Sequence, residues 1–204
     1  MEIDEIIDKI KTGPLTANEK IRLIGNHFAE IMRILGLDLN NDSLRNTPNR
    51  VAKMYVNEIF SSLEGSKEPE ITLFDNDYNY LEILLEKNIP LYSFCEHHFV
   101  PIIGKAHIAY IPDEKVAGLS KLNRAVEYFS KRPQVQERLT KEIAAFLKIK
   151  LQTEDVAVII EAEHLCIASR GIKETGCITT TISYHGSFKS EKKKELMQLL
   201  NKNY

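Results

Sequence analysis

Two helical stretches stand back to back between Ser120 and Lys148, and short segments rich in β-forming residues flank them on both sides. This order constrains the fold more than any other feature of the chain. In the first stretch, from near Ser120 to the residue before Pro133, Leu122, Ala125, Val126 and Phe129 fall on one face. In the second, from Pro133 to about Lys148, the buried stripe is Val135, Leu139, Ile143, Phe146 and Leu147. Both stripes follow the helical period and need an apolar surface to cover. The flanking segments Pro90–Phe94, Ala106–Ile111, Val156–Ile167 and Ile178–Tyr184 supply it, being short and rich in β-branched and aromatic residues. The order strand–strand–helix–helix–strand–strand predicts an α+β body, an antiparallel sheet with the helix pair on one face. Such a sheet leaves edges to be covered or paired, so an oligomer is expected.

Ahead of this body, residues 1–64 read as a helical part, with residues 65–204 forming the body itself. Thr16-Ala-Asn-Glu19 is a capping-box pattern, in which hydroxyl and carboxylate satisfy orphan amides at a helix start. Ile21, Ile24, Phe28, Ile31 and Leu35 follow at helical spacing, and Gly36 suits the stop. Thr47-Pro48 signals a second start, and the helix is expected to run from Pro48 to about Phe60. Residues 64–80 are polar and read as a connecting loop, while Glu191–Leu200 reads as a last helix.

The net charge of −2 argues against a general nucleic-acid binder, whose footprint is strongly basic. It leaves room for an anionic small molecule held by a local cluster of Lys and Arg. Met1–Ile10 is acidic and amphipathic, unlike a secretory signal, and no apolar run is long enough to span a bilayer. Three cysteines, an odd number, do not form a disulfide framework. A cytoplasmic protein with reduced thiols is expected, without membrane or nucleic-acid partners.

Those thiols stand in informative places. In Cys95-Glu-His97-His98 a thiolate and an imidazole have the spacing that lets one turn bring both to a metal ion. In His164-Leu-Cys166, on an expected strand, the two side chains share a face about 6–7 Å apart. Cys95, His98 and Cys166 make a three-ligand zinc set with a fourth position open to water, as in catalytic rather than structural sites. Sulfur and imidazole donors suit zinc better than magnesium or calcium. Spacing alone leaves Cys177 as an alternative third sulfur. His97 and His164 stand beside the set without belonging to it, and imidazole is the usual proton-transfer group near pH 7.

Gly118-Leu-Ser120-Lys121-Leu-Asn-Arg124 opens a helix, where exposed amides and partial positive charge attract phosphate. Ser120 caps or donates there, and Lys121 and Arg124 add full charges; Arg170 is a further candidate. At the second helix start, Gln136 and Glu137 place an amide beside a carboxylate, a pair able to meet the donor edge of guanine. Taken alone, Lys121 and Arg124 read more readily as solvated surface groups, and Gln136 and Glu137 are indistinguishable from an ordinary solvated helix start.

Together the blocks resemble a known family. Cys95-Glu-His-His98, Gly118-Leu-Ser-Lys121-Leu-Asn-Arg124, Arg132-Pro-Gln-Val-Gln-Glu-Arg138-Leu-Thr and His164-Leu-Cys166 followed by Arg170-Gly171 are similar, in order and separation, to the signatures of GTP cyclohydrolase I. Thr47-Pro48-Asn-Arg50-Val-Ala-Lys-Met-Tyr resembles that family's preceding helix, and the similarity runs from about residue 20 to 190. The resemblance implies a tunnelling (T-fold) body whose sheets join edge to edge into a homodecamer, with active sites between subunits. It implies Cys95, His98 and Cys166 as zinc ligands, and His97 and His164 as proton carriers. Ser120, Lys121, Arg124, Arg170 and Arg50 would hold the triphosphate, and Gln136 and Glu137 the guanine. The implied substrates are GTP and water. The implied reaction opens the purine at C8, releases formate and yields 7,8-dihydroneopterin triphosphate, the first step of tetrahydrofolate and pterin synthesis. Two other chemistries use the same residues. One is a metal-free enzyme with Cys95 as nucleophile; the other is a zinc-stabilised binding module, which would need a fourth protein ligand.

Overall fold

The computed structural model describes residues 14–63 and 66–202, so Met1–Ile10 lies outside the described residues. The chain divides between Ser61 and Ser62 into two compact units. The first holds α1 (Ala17–Ile34) and α2 (Thr47–Met54), the latter continued by a π-helical turn over Tyr55–Ile59. The capping box forms: Thr16 Oγ1 accepts from the Glu19 amide at 3.3 Å, and Glu19 Oε2 accepts from the Thr16 amide at 3.0 Å. Gly36 follows α1 at φ 81°, the left-handed conformation in which glycine ends helices. At α2 the cap is Asn46, with no side-chain cap bond, and Thr47 and Pro48 are already helical. Proline fits there because its missing N–H is one of the orphan donors of a helix start.

In chain order the second unit comprises β1 (Leu73–Asp75), β2 (Leu84–Cys95), β3 (Pro101–Tyr110), β4 (Lys115–Ala117), α3 (Leu119–Ser130), β5 (Pro133–Gln134), α4 (Gln136–Leu151), β6 (Val156–His164), α5 (Leu165–Ala168), β7 (Ile178–Tyr184) and α6 (Lys193–Asn201). A 3-10 turn over Gly186–Lys189 precedes α6. The main sheet has the order β5-β2-β3-β6-β7. Its four long strands are antiparallel, and β5 runs parallel to β2. β1 and β4 form a separate antiparallel ribbon, so the stretch expected as plain loop contains a strand.

Several boundaries differ from expectation, each for a local reason. β2 starts at Leu84 rather than Pro90; a bulge between Glu86 and Ile89, with Asn88 at φ 60°, interrupts the alternation that marks a strand. β3 starts at Pro101 rather than Ala106 and contains Gly104, which propensity disfavours. Gly104 is required there because a Cβ would collide with the Glu161 carbonyl and with Ala162 on β6. Pro133–Gln134 is a strand rather than the start of a helix, paired with Phe94 and Cys95.

One sheet face buries Leu91, Ile102, Ala106, Ile108, Val158 and Ile160 against Leu122 and Val126 of α3 and Leu139, Ile143 and Leu147 of α4. Each of the Leu, Ile and Val side chains contributes about 1.5–3 kcal/mol relative to exposure. On the other face Ala109, Ala157 and Ile159 are covered by Phe188 and Leu196 from the C-terminal segment. Further along that face Tyr92, Ile103, Ile178 and Ile182 remain exposed. Among the described residues, no helix is long and apolar enough to cross a membrane.

Candidate metal centre and active site

The turn from β2 to β3 carries Cys95, His97 and His98. It closes on Cys95, whose N–H donates to the Val100 carbonyl at 2.9 Å and whose carbonyl accepts from the Phe99 amide at 2.8 Å. Phe99, at φ 51°, reverses the chain. The Glu96 amide donates to the Gln134 carbonyl at 3.0 Å, tying the turn to β5. From the other side of β3, the strand β6 ends at His164, paired with Ile102. Its partner β3 begins one residue earlier, at Pro101, so the ladder has nowhere to continue. The chain instead makes the single helical turn α5, and Cys166 lies in that turn. The expected strand over Val156–Ile167 is therefore too long. Cys166 reaches the site by a helical turn, not by sharing a strand face with His164.

The donor atoms of Cys95, His98 and Cys166 lie within 4.8 Å of one another, with Cys95 buried, Cys166 half-buried and His98 exposed. Cys177, the alternative sulfur, is exposed and outside this group. Burial pushes the Cys166 thiol up, the Cys95 sulfur pushes it further, and Arg170 opposes both. A divalent cation would relieve the Cys166 thiol, since binding stabilises the thiolate. The residues present fit such an ion. Three protein donors leave a tetrahedral ion one open position.

His97 Nδ1 lies 3.7 Å from Cys95 Sγ, and its Nε2 lies 3.9 Å from Glu96 Oε1. His164 Nε2 lies 2.7 Å from Gln136 Oε1. Burial pushes the pKa of His164 down, and the Glu137 carboxylate opposes this. The Glu137 side chain is therefore close enough to be felt at His164, and Glu137 is itself exposed. Gln136 is 1% exposed, and its side-chain amide meets the Ile160 and Thr179 carbonyls and Thr181.

Ser120, Lys121 and Arg124 stand at the start of α3, whose cap is Gly118 with no side-chain cap bond, so Ser120 is not the cap. Arg170 is exposed just beyond α5. Arg50 is exposed on α2, in the other unit.

Sequence reasoning passed over one ion pair. Arg138 Nη2 donates to Glu96 Oε2 at 2.5 Å and to the Pro133 carbonyl at 2.9 Å, while its Nε donates to Gln134 Oε1 at 2.9 Å. This clamps the Cys95–His98 turn to the first turns of α4. The available signal is a carboxylate standing between Cys95 and His97 in the sequence.

Comparison with known proteins bears on this cluster. Residues 24–201 match the family model for GTP cyclohydrolase I. The chain belongs to the GTP cyclohydrolase I family. A GTP cyclohydrolase 1 from Flavobacterium johnsoniae is 54% identical over 180 residues, covering 88% of this chain and 81% of that protein. One from Buchnera aphidicola is 49% identical, covering 85% and 80% respectively, and one from Aeromonas salmonicida is 47% identical, covering 94% and 88%. Every predicted site residue from Arg50 to Arg170 lies inside the family match, which also takes in the C-terminal segment up to residue 201.

Proposed function

We propose that this member of the GTP cyclohydrolase I family hydrolyses GTP at purine C8, releases formate and converts the remainder to 7,8-dihydroneopterin triphosphate. The observation that carries the reading is the convergence of Cys95, His98 and Cys166 within 4.8 Å, from the β2–β3 turn and from α5. We assign zinc to these residues because two thiolates and an imidazole match its donor preferences. When bound, such an ion supplies Lewis acidity and makes water a nucleophile at neutral pH.

The remaining steps belong to side chains. His97 and His164 flank the ligand group and carry protons. One protonates an imidazole nitrogen of the purine, making C8 electrophilic, and both serve the later sugar rearrangement, which moves protons between carbon and oxygen. Glu137, exposed at the start of α4, accepts from the guanine ring N–H and amino group. Ser120, Lys121, Arg124, Arg170 and Arg50 hold the triphosphate, which takes no part in bond breaking but positions the purine through remote binding energy. Two features support the homodecamer that the family resemblance implies. β7 lies at the edge of the main sheet, and Tyr92, Ile103, Ile178 and Ile182 are exposed on its open face. A cytoplasmic location and a place at the head of tetrahydrofolate or other pterin synthesis go with this reading.

The test is direct. Zinc-loaded oligomeric protein incubated with GTP should release one formate per GTP and develop pterin fluorescence. Unchanged GTP under those conditions would defeat the proposal.

A further inference from the structure

Gln136 is held so completely that its hydrogen-bond directions can be worked out atom by atom. Its Nε2 lies 3.0 Å from the Ile160 carbonyl, 2.9 Å from the Thr179 carbonyl and 3.1 Å from Thr181 Oγ1. Backbone carbonyls only accept, so the end of the amide that faces them is the NH₂ group. The threonines agree with this. Thr140 donates its hydroxyl proton to the Gln136 carbonyl at 2.7 Å, so the 2.6 Å contact between Thr140 and Thr181 takes its proton from Thr181. Thr181 Oγ1 then has only lone pairs to offer Gln136. The opposite end of the amide, Oε1, is therefore the atom 2.7 Å from His164 Nε2. An amide oxygen cannot donate, so the proton between them sits on the histidine.

We infer that Gln136 is a positioning residue that fixes His164 as the Nε2–H tautomer, leaving Nδ1 as the nitrogen that exchanges a proton with the substrate. This rests on the proton-carrying role proposed for His164. When His164 acts as an acid, the proton leaves Nδ1 for the purine nitrogen and the Nδ1 lone pair is restored. The Nε2 proton stays on its bond to Gln136 throughout. The same amide spans the Ile160 carbonyl on β6 and the Thr179 carbonyl on β7, so the ring is oriented by the sheet and not by the nucleotide. Guanine recognition on this turn then falls to Glu137 alone.

The direct test is ¹⁵N magnetic resonance of the zinc-loaded protein with labelled histidine, the His164 signals being identified by their loss in His164→Asn. At a pH where His164 is neutral, Nε2 should show the protonated, pyrrole-type signal and Nδ1 the unprotonated, pyridine-type signal. The reverse assignment, or an even mixture, would overturn the inference. In Gln136→Met, which keeps the length but removes the hydrogen bonds, kcat should fall roughly 10- to 100-fold. Zinc content and KM for GTP should change less than about twofold, because an interaction made only through His164 is absent from ground-state binding. A raised KM with kcat unchanged would instead mark Gln136 as a guanine contact and overturn the inference. If Gln136→Met does not fold, the tautomer of the parent protein decides alone. That measurement stands apart from turnover, so a protein that showed the expected tautomer yet left GTP intact would refute the proposed reaction and not the role of Gln136.

Discussion

His97 and His164 are held differently, the first beside Cys95 and the second against Gln136. His97 has an exposed side chain on the metal turn, with Cys95 Sγ and Glu96 as its nearest polar neighbours. His164 is half-buried, with one nitrogen bonded inside the protein. Neither belongs to the Cys95–His98–Cys166 group, so His97→Ala and His164→Ala should each retain the metal and lose turnover by about 10²- to 10⁴-fold. Metal analysis beside single-turnover kinetics checks this, and loss of the metal in either variant would make that histidine a ligand. Lys121→Ala should weaken GTP binding while leaving guanosine binding unchanged, as calorimetry with both compounds would register. At this scale the sequence was most informative about the metal. The Cys95-x-x-His98 spacing named two residues that the structure groups with Cys166, whereas the strand face expected to pair His164 with Cys166 did not form. The fate of Gln136 was not legible, because a buried amide and a solvated one look alike at a helix start.

Elements explain how the neighbourhood comes together. The β2–β3 turn is fixed from below by β5 and from the side by the Glu96–Arg138 ion pair, both of which lead into α4. α4 therefore anchors the β2–β3 turn through Arg138 and His164 through Gln136. Removing the clamp in Arg138→Ala should lower zinc affinity about 10- to 100-fold with the fold intact, as competition with a chromogenic chelator would measure. Gly104→Ala should cost about 1–3 kcal/mol in unfolding, because β3 and β6 have no room for the added methyl group. The pattern of two helices between strand pairs was readable from periodicity alone. The ends of the elements were not, since bulges, a two-residue strand and the halt of β6 opposite the start of β3 depend on partners distant in sequence. Cys166 shows the consequence: it was the expected ligand, reached by a different local structure.

At the scale of the whole molecule, His107 and His185 lie outside the metal-ligand candidates, and both have pKa values pushed down. His107 is buried beside Glu161, and burial pushes its pKa down, with Lys87 and Lys105 acting in the same direction and Glu161 opposing. His185, after β7, is pushed down by burial and by Lys148 and Lys189, against Glu154. Folded pKa values below the ordinary value of about 6.5 mean that the unfolded chain binds protons first as pH falls. The stability owed to these neutral rings is thus fully present above about pH 6.5 and declines below it. Urea unfolding should show a falling midpoint from pH 7 to pH 5, and a His107→Gln, His185→Gln double variant should show a shallower fall. The central claim, that Cys95, His98 and Cys166 together hold a catalytic ion, is tested most directly by the metal content of purified protein. The account predicts one zinc per chain, lost in Cys166→Ser and kept in Cys177→Ser, with turnover of GTP lost and kept in parallel. Full activity after chelation, or a metal that survives Cys166→Ser, would contradict it.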